Sequence, residues 1–112
     1  MHPKVKTVVD HMNANLNRKV TLKDLARLAG VSRSRLCYVF KTETGMSVGQ
    51  HLKALSIKKA HEFLETTSLS VKEIGTAVGM RDQSHFSRDF KRAYSLTPSQ
   101  YREQLSNPDR EE

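Results

Sequence analysis

The chain has 112 residues, one domain's worth of sequence, which allows a modest buried core and excludes a second independently folded unit beside it. Its 19 Lys and Arg against 12 Asp and Glu give a formal charge of +7 and a pI near 9.8, a balance that favours a polyanionic partner. The single cysteine, Cys37, excludes an internal disulfide and a zinc-finger cysteine pair, and no stretch resembles a membrane span or a signal peptide. Cytoplasmic localisation, with no membrane partner, is the expectation.

Apolar spacing sets out the elements from the N-terminus. Val5, Val8, Val9 and Met12 fall at i, i+3, i+4 and i+7 and predict a helix near 4–15; Leu22, Leu25, Ala26 and Ala29 repeat the spacing over 22–29. Further helices are predicted near 33–43, 48–65, 71–78, 83–94 and 98–105. Four starts carry a Ser or Thr followed three residues later by a carboxylate or amide: Thr21 with Asp24, Ser47 with Gln50, Ser70 with Glu73 and Thr97 with Gln100. That spacing lets side chains satisfy the free amides of a helix's first turn, and Pro98 suits the first helical position after Thr97. No segment alternates with period two, so the expected fold class is all-α with seven helices.

The chain also repeats itself. Thr21-Leu22-Lys23-Asp24-Leu25 is echoed by Ser70-Val71-Lys72-Glu73-Ile74, and Gly30 by Gly79, at an offset of 49. Beyond the glycine the offset is 50: Leu36 and Phe40 match Phe86 and Phe90, and Lys41 matches Lys91. Each copy reads as a capped short helix, a glycine stop, a polar turn and a second helix, which is the helix-turn-helix pattern. The plainer alternative is a helical bundle with duplicated hairpins.

On a helical wheel, Leu36, Val39 and Phe40 form the buried stripe of the first copy's second helix and Phe86, Phe90 and Ala93 that of the second copy. Ser34, Cys37, Tyr38 and Lys41 then face outward in one, and Ser84, Ser87, Arg88 and Lys91 in the other. Arg33, Arg35 and Gln83 sit at the helix starts, within reach of the same surface, and Asp82 is expected as a helix cap. Short polar and basic side chains suit a major-groove helix, where Arg bonds guanine edges, Ser and Gln bond several bases, and Lys neutralises phosphate. The helix between the copies, Ser47 to Glu65, would span about 28 Å, against about 34 Å for one turn of B-DNA. A spacer of that length can set two reading helices in successive grooves.

Other chemistry finds little support. The chain lacks a phosphate-cradling glycine loop, a nucleophile with a neighbouring base, and convergent carboxylates, so no enzyme activity is expected. His2, His11, His51, His61 and His85 lack partners at ligand spacing, and neither a metal nor a cofactor is predicted. Cys37 reads as a small groove-facing side chain in preference to a redox sensor. A protein-interaction adaptor is the alternative function.

The second copy's Ile74, Gly79, Ser84-His85-Phe86-Ser87-Arg88, Phe90-Lys91 and Thr97-Pro98-Ser99-Gln100-Tyr101-Arg102 resemble the signature of the AraC/XylS family of transcription regulators, over about residues 5–105. The resemblance implies two homeodomain-like helix-turn-helix subdomains, 1–46 and 66–105, joined by a linker helix, 47–65, with a disordered tail over 106–112. It also implies double-stranded promoter or operator DNA as partner, with RNA polymerase as a candidate second one; the effector domain that many family members carry is absent from this chain, which is expected to be either a stand-alone short regulator or a portion of a longer one. Carried over by position, its base-reading and phosphate-contacting sites fall on Ser34, Cys37 and Tyr38 and on Gln83, Ser87 and Arg88. Met80, Ser95 and Ser56 depart from the family's usual aromatic, glycine and arginine, and Ser95 is expected either to strain its turn or to end the helix without a left-handed residue.

Overall fold

The structure, a computed structural model, describes residues 2–106. Among them are seven α-helices and no strand: α1 (Pro3–Ala14), α2 (Leu22–Ala29), α3 (Arg33–Thr44), α4 (Val48–Thr66), α5 (Val71–Ala77), α6 (Gln83–Tyr94) and α7 (Pro98–Ser106). Of the tail expected over 106–112, Ser106 belongs to α7 and the rest lies outside the described residues. Helix α1 begins a residue earlier than apolar spacing indicates, because the His2 ring accepts the Lys4 amide at 3.1 Å and Pro3 takes the first helical position.

The chain divides into two compact units within α4, between Leu55 and Ser56. In the first, Val5, Val8 and Met12 of α1, Leu25, Ala26 and Ala29 of α2, and Leu36 and Phe40 of α3 form one buried cluster, with Val48, Leu52 and Leu55 of α4 half-buried against it. In the second, Ile57, Ala60 and Leu64 of α4 join Ile74, Val78, Phe86 and Phe90. Sequence reading sets the α4 segment apart as a linker. In the structure each half of the helix carries apolar side chains for one unit.

Backbone hydrogen bonds repeat as the sequence does. Helix α2 ends with Gly30 at φ 71°, with the Val31 amide donating to the Ala26 carbonyl at 3.1 Å and the Gly30 amide to Arg27 at 3.1 Å. The α5 stop is the same: Gly79 has φ 80°, Met80 donates to Gly75 at 2.7 Å and Gly79 to Thr76 at 3.1 Å. These are Schellman stops, which satisfy the last free carbonyls of a helix. Helices α3 and α6 end on single bonds, Gly45 to Lys41 at 2.8 Å and Ser95 to Lys91 at 2.7 Å. Ser95 holds φ 70°, so of the two expected outcomes the strained left-handed one is realised.

The close helix crossing of the second unit depends on Gly75. A Cβ placed there falls 2.8 Å from the Met80 carbonyl oxygen, 3.0 Å from Gln83 Nε2 and 3.2 Å from Phe86 Cδ2. Ala26, at the matching place in the first unit, is buried with its Cβ accommodated.

One expected core position is corrected. Ala93 is exposed, and the next residue, Tyr94, packs in its stead, its ring 4.9 Å from Phe90 and stacked 4.2 Å from His61. The larger ring covers more apolar surface than a methyl group can. Around it, Tyr101 donates to Glu65 at 2.9 Å, and burial together with that carboxylate pushes the Tyr101 phenol up to about 12. Arg102 donates from its guanidinium to the carbonyls of Leu64 (3.4 Å), Thr67 (3.1 Å) and Leu69. A cation thereby closes the negative end of α4 and ties the α4–α5 connection to α7.

Three outcomes follow for stability, read by chemical denaturation. Arg102→Ala lowers it by roughly 1.5–3 kcal/mol, the usual worth of hydrogen bonds from a charged donor, and Arg102→Lys does not restore it because one ammonium cannot span the same acceptors. Ser95→Gly raises stability by about 1 kcal/mol by relieving the left-handed serine. Gly75→Ala lowers it by about 1–3 kcal/mol despite alanine's better helix propensity, because the added methyl meets backbone oxygen.

Candidate nucleic-acid interface

The second helix of each repeat is held by few side chains and leaves most of its circumference to solvent. In α3, Leu36 and Phe40 are buried and Val39 is half-buried; in α6, Phe86 and Phe90 are buried. The rest of each helix is positioned by its ends. Ser32 accepts the Arg35 amide at 3.1 Å at the start of α3, and Asp82 accepts the His85 amide at 3.0 Å at the start of α6. The latter bond holds the Asp82 carboxyl below its ordinary value of 3.8. Asp82 therefore takes the capping place anticipated for it, whereas the Ser32 cap is not picked out by the cap spacing, since Arg35 supplies only its backbone.

Arg33, Ser34, Arg35, Cys37, Tyr38 and Lys41 are all exposed on α3. Tyr38 is 65% exposed, the most of the large apolar side chains on the described surface. The Arg35 guanidinium carbon lies 5.9 Å from the centroid of its ring, a cation–π distance that holds the ring on one side. On α6, Ser84, Arg88 and Lys91 are exposed, while Gln83 and Ser87 are half-buried. Gln83 is drawn inward because its amide lies over the space that Gly75 leaves open.

Glu43 is the sole acidic residue in α3 and Asp89 the sole one in α6. Asp89 is half-buried and lies 3.9 Å from Arg92. The outward faces carry hydroxyls, cations, a thiol and an aromatic ring, with one exposed carboxylate, Glu43, in the last turn of α3. Such a face can donate and accept hydrogen bonds and attract phosphate, and it offers no paired acid or base with which to do chemistry.

Two exposed cations beside this surface escaped the sequence reading. Arg81 occupies the turn before α6, and the Arg92 side chain is 75% exposed one helical turn beyond Arg88. The i+4 spacing from Arg88 is the signal that places Arg92 on the same side.

Comparison with known proteins places this geometry. The Helix-turn-helix domain family matches residues 25–104. The DNA-binding domain of AdpA, solved in complex with a target DNA, superposes with a TM-score of 0.86 at 26% identity, covering 94% of this chain and 96% of that one. An AraC-type transcriptional regulator structure from Chromobacterium violaceum gives 0.85 at 32% identity, covering 95% of each chain. Among sequence relatives, the lactose operon transcription activator of Staphylococcus xylosus is 29% identical over 91% of this chain and 37% of its own length. The regulator GlxA of Rhizobium meliloti is 33% identical over 90% of this chain and 31% of its own. The chain thus spans about a third of the length of these curated relatives. Its two helix-turn-helix units define a DNA-binding domain, and the chain belongs to the AraC-type family of transcription regulators, which are not enzymes. No helix among the described residues is long and apolar enough to cross a membrane.

Asp82→Asn keeps an oxygen for the His85 amide and removes the charge. Because the folded state holds this carboxyl below 3.8, its stabilising contribution is present at neutral pH and lost as pH falls through that depressed value. The melting temperature of the Asp82→Asn variant should accordingly fall less steeply than that of the parent as pH is lowered below 3.8.

Proposed function

We propose that this chain is the sequence-specific reader of a bacterial transcription regulator, and that it inserts α3 and α6 into adjacent major-groove segments of one duplex to control initiation. The observation that supports this most is the duplicated frame: caps, stops and buried residues at matching positions present two faces of hydroxyls and cations within one chain. Helix α4, 19 residues long, contributes apolar side chains to both units, so the two frames lie on one continuous helix.

In this reading Ser34, Cys37 and Tyr38 of α3 and Gln83, Ser84, Ser87 and Arg88 of α6 contact base edges. Arg33, Arg35, Lys41 and Lys91 contact phosphate or the rim of the groove, joined by Arg81 and Arg92. Arg88 is the strongest single reader, because a guanidinium can bond guanine O6 and N7 together. Control of initiation brings the domain beside RNA polymerase, the second partner in this proposal, and places the protein in the cytoplasm.

The test is selection of binding sequences from random duplex DNA, followed by affinity measurements at two salt concentrations. The expected outcome is a bipartite motif with half-sites about one helical turn apart and affinity falling steeply with salt. Arg88→Ala relaxes base preference in one half-site and costs about 1–3 kcal/mol, whereas Lys91→Ala weakens all sequences alike and lowers the salt slope by about one. A single undivided motif overturns the two-groove reading, and salt-independent binding overturns groove recognition altogether.

A further inference from the structure

The two faces carry opposite chemistry at matching positions, and each of these residues can be compared with its counterpart 50 residues on. Tyr38 stands where α6 has Arg88, and Cys37 where α6 has Ser87; Ser34 matches Ser84 and Lys41 matches Lys91. Ser34 and Ser84, and the two lysines, are therefore alike, whereas Arg33 and Arg35 stand against Gln83 and His85. At the centre of the face, α6 offers a guanidinium and a hydroxyl where α3 offers an aromatic ring and a thiol.

This difference separates what the two helices can recognise. A guanidinium matches the paired acceptors of guanine. A tyrosine ring and a cysteine thiol cannot make that bidentate pair; the thiol is a weak hydrogen-bonding partner and the phenol offers a single hydroxyl, while most of the surface they present is apolar. What they do fit is the single apolar group on the floor of the major groove, the C5-methyl of thymine. Tyr38 supports this reading by its condition in the free protein. Its ring is 65% exposed, and Arg35 lies 5.9 Å from the ring centroid. An apolar surface left in water, with a cation steadying it, gains by being covered in a complex.

We propose that the two units read different base chemistries, α3 recognising thymine methyl groups through Tyr38 and Cys37, and α6 recognising guanine through Arg88. The operator is then chemically asymmetric, with one thymine-bearing half-site and one guanine-bearing half-site, and binding has a fixed polarity along the duplex. This inference rests on the two-groove reading above and adds the class of base pair to each half of it.

The probe is the duplex recovered by selection with the full 112-residue chain, remade in two forms. One replaces each thymine by deoxyuridine, which removes the C5-methyl and preserves pairing. The other replaces each guanine by 7-deazaguanine, which removes the N7 acceptor. Because Tyr38 is exposed, Tyr38→Ala and Tyr38→Phe leave the core intact, which a thermal melt confirms.

The expected result is that deoxyuridine in one half-site weakens binding of the parent protein about three- to fivefold per contacted methyl. That penalty disappears in Tyr38→Ala and persists in Tyr38→Phe, which keeps the ring. Deazaguanine in the other half-site weakens binding of the parent and has no effect in Arg88→Ala. An α3 half-site without thymine, full affinity on the deoxyuridine duplex, or Tyr38→Phe behaving as Tyr38→Ala overturns the inference while leaving DNA reading intact. Failure of the parent protein to select any sequence overturns both.

Discussion

Everything the two outward helices can do depends on how little holds them. A helix that offers one whole side to a partner must be anchored through the narrow stripe that remains, and in α3 that stripe comes down to Leu36 and Phe40, in α6 to Phe86 and Phe90. Full burial of such a side chain is worth about 1.5–3 kcal/mol, so each anchor is strong for its area. Two anchors one turn apart fix a helix's position and tilt more firmly than its rotation. Rotation is constrained by the ends, where Ser32 and Asp82 fix the first turns and Gly45 and Ser95 the last. The two helices are thus set by a few apolar contacts in the middle and by hydrogen bonds to the backbone at either end.

The two units reach the same geometry with different materials. In the first, α1 contributes Val5, Val8 and Met12, all fully buried, and α4 only half-buried residues. In the second, α4 itself contributes buried Ile57, Ala60 and Leu64. The second unit then adds an aromatic group, with His61 stacked on Tyr94 and Tyr101 close by at 4.8 Å from the same imidazole, and the Arg102 bonds that close α4. These additions stand beside two local departures from the first copy, Gly75 in place of an alanine and Ser95 in place of a glycine. A glycine inside a helix costs about 1 kcal/mol and a left-handed serine about as much, and the added packing offsets costs of that size.

Helix positions, most of the caps and the glycine stops were legible in the sequence because each depends on residues within four or five positions of one another, whereas the His2 and Ser32 caps lack the paired side chain that marks a start. Thr97 with Gln100 announces α7, and the pair makes both bonds of its box, at 3.2 and 2.9 Å. The repeat was legible for the same reason. What sequence reading missed acts across longer separations. Nothing near Arg102 foretells that its acceptors lie on residues 64–69, and nothing near Ala93 shows that Tyr94 will take the buried place against His61. The wheel treated Ala93 and Tyr94 by angle alone, whereas packing favours the larger ring when the neighbouring surface can receive it. The candidate face was legible because exposure on α3 and α6 follows from the position of the phenylalanines. The half-burial of Gln83 was not, because it depends on the space left by Gly75 in another helix.

The charge of the chain divides into two kinds of work. Phosphate attraction depends on the sum of cations near a duplex and is blind to sequence, which under the proposed reading is the part that exposed residues such as Lys41, Lys91 and Arg92 would play. Under the same reading, discrimination would depend on which groups occupy the middle of each face. A duplicated frame with unlike centres would then let the base preferences of the two units diverge while both keep a lysine at the matching position, Lys41 and Lys91. Such a frame would also remove a symmetry that a homodimer of single readers imposes, because two different half-sites in a fixed order need no palindrome.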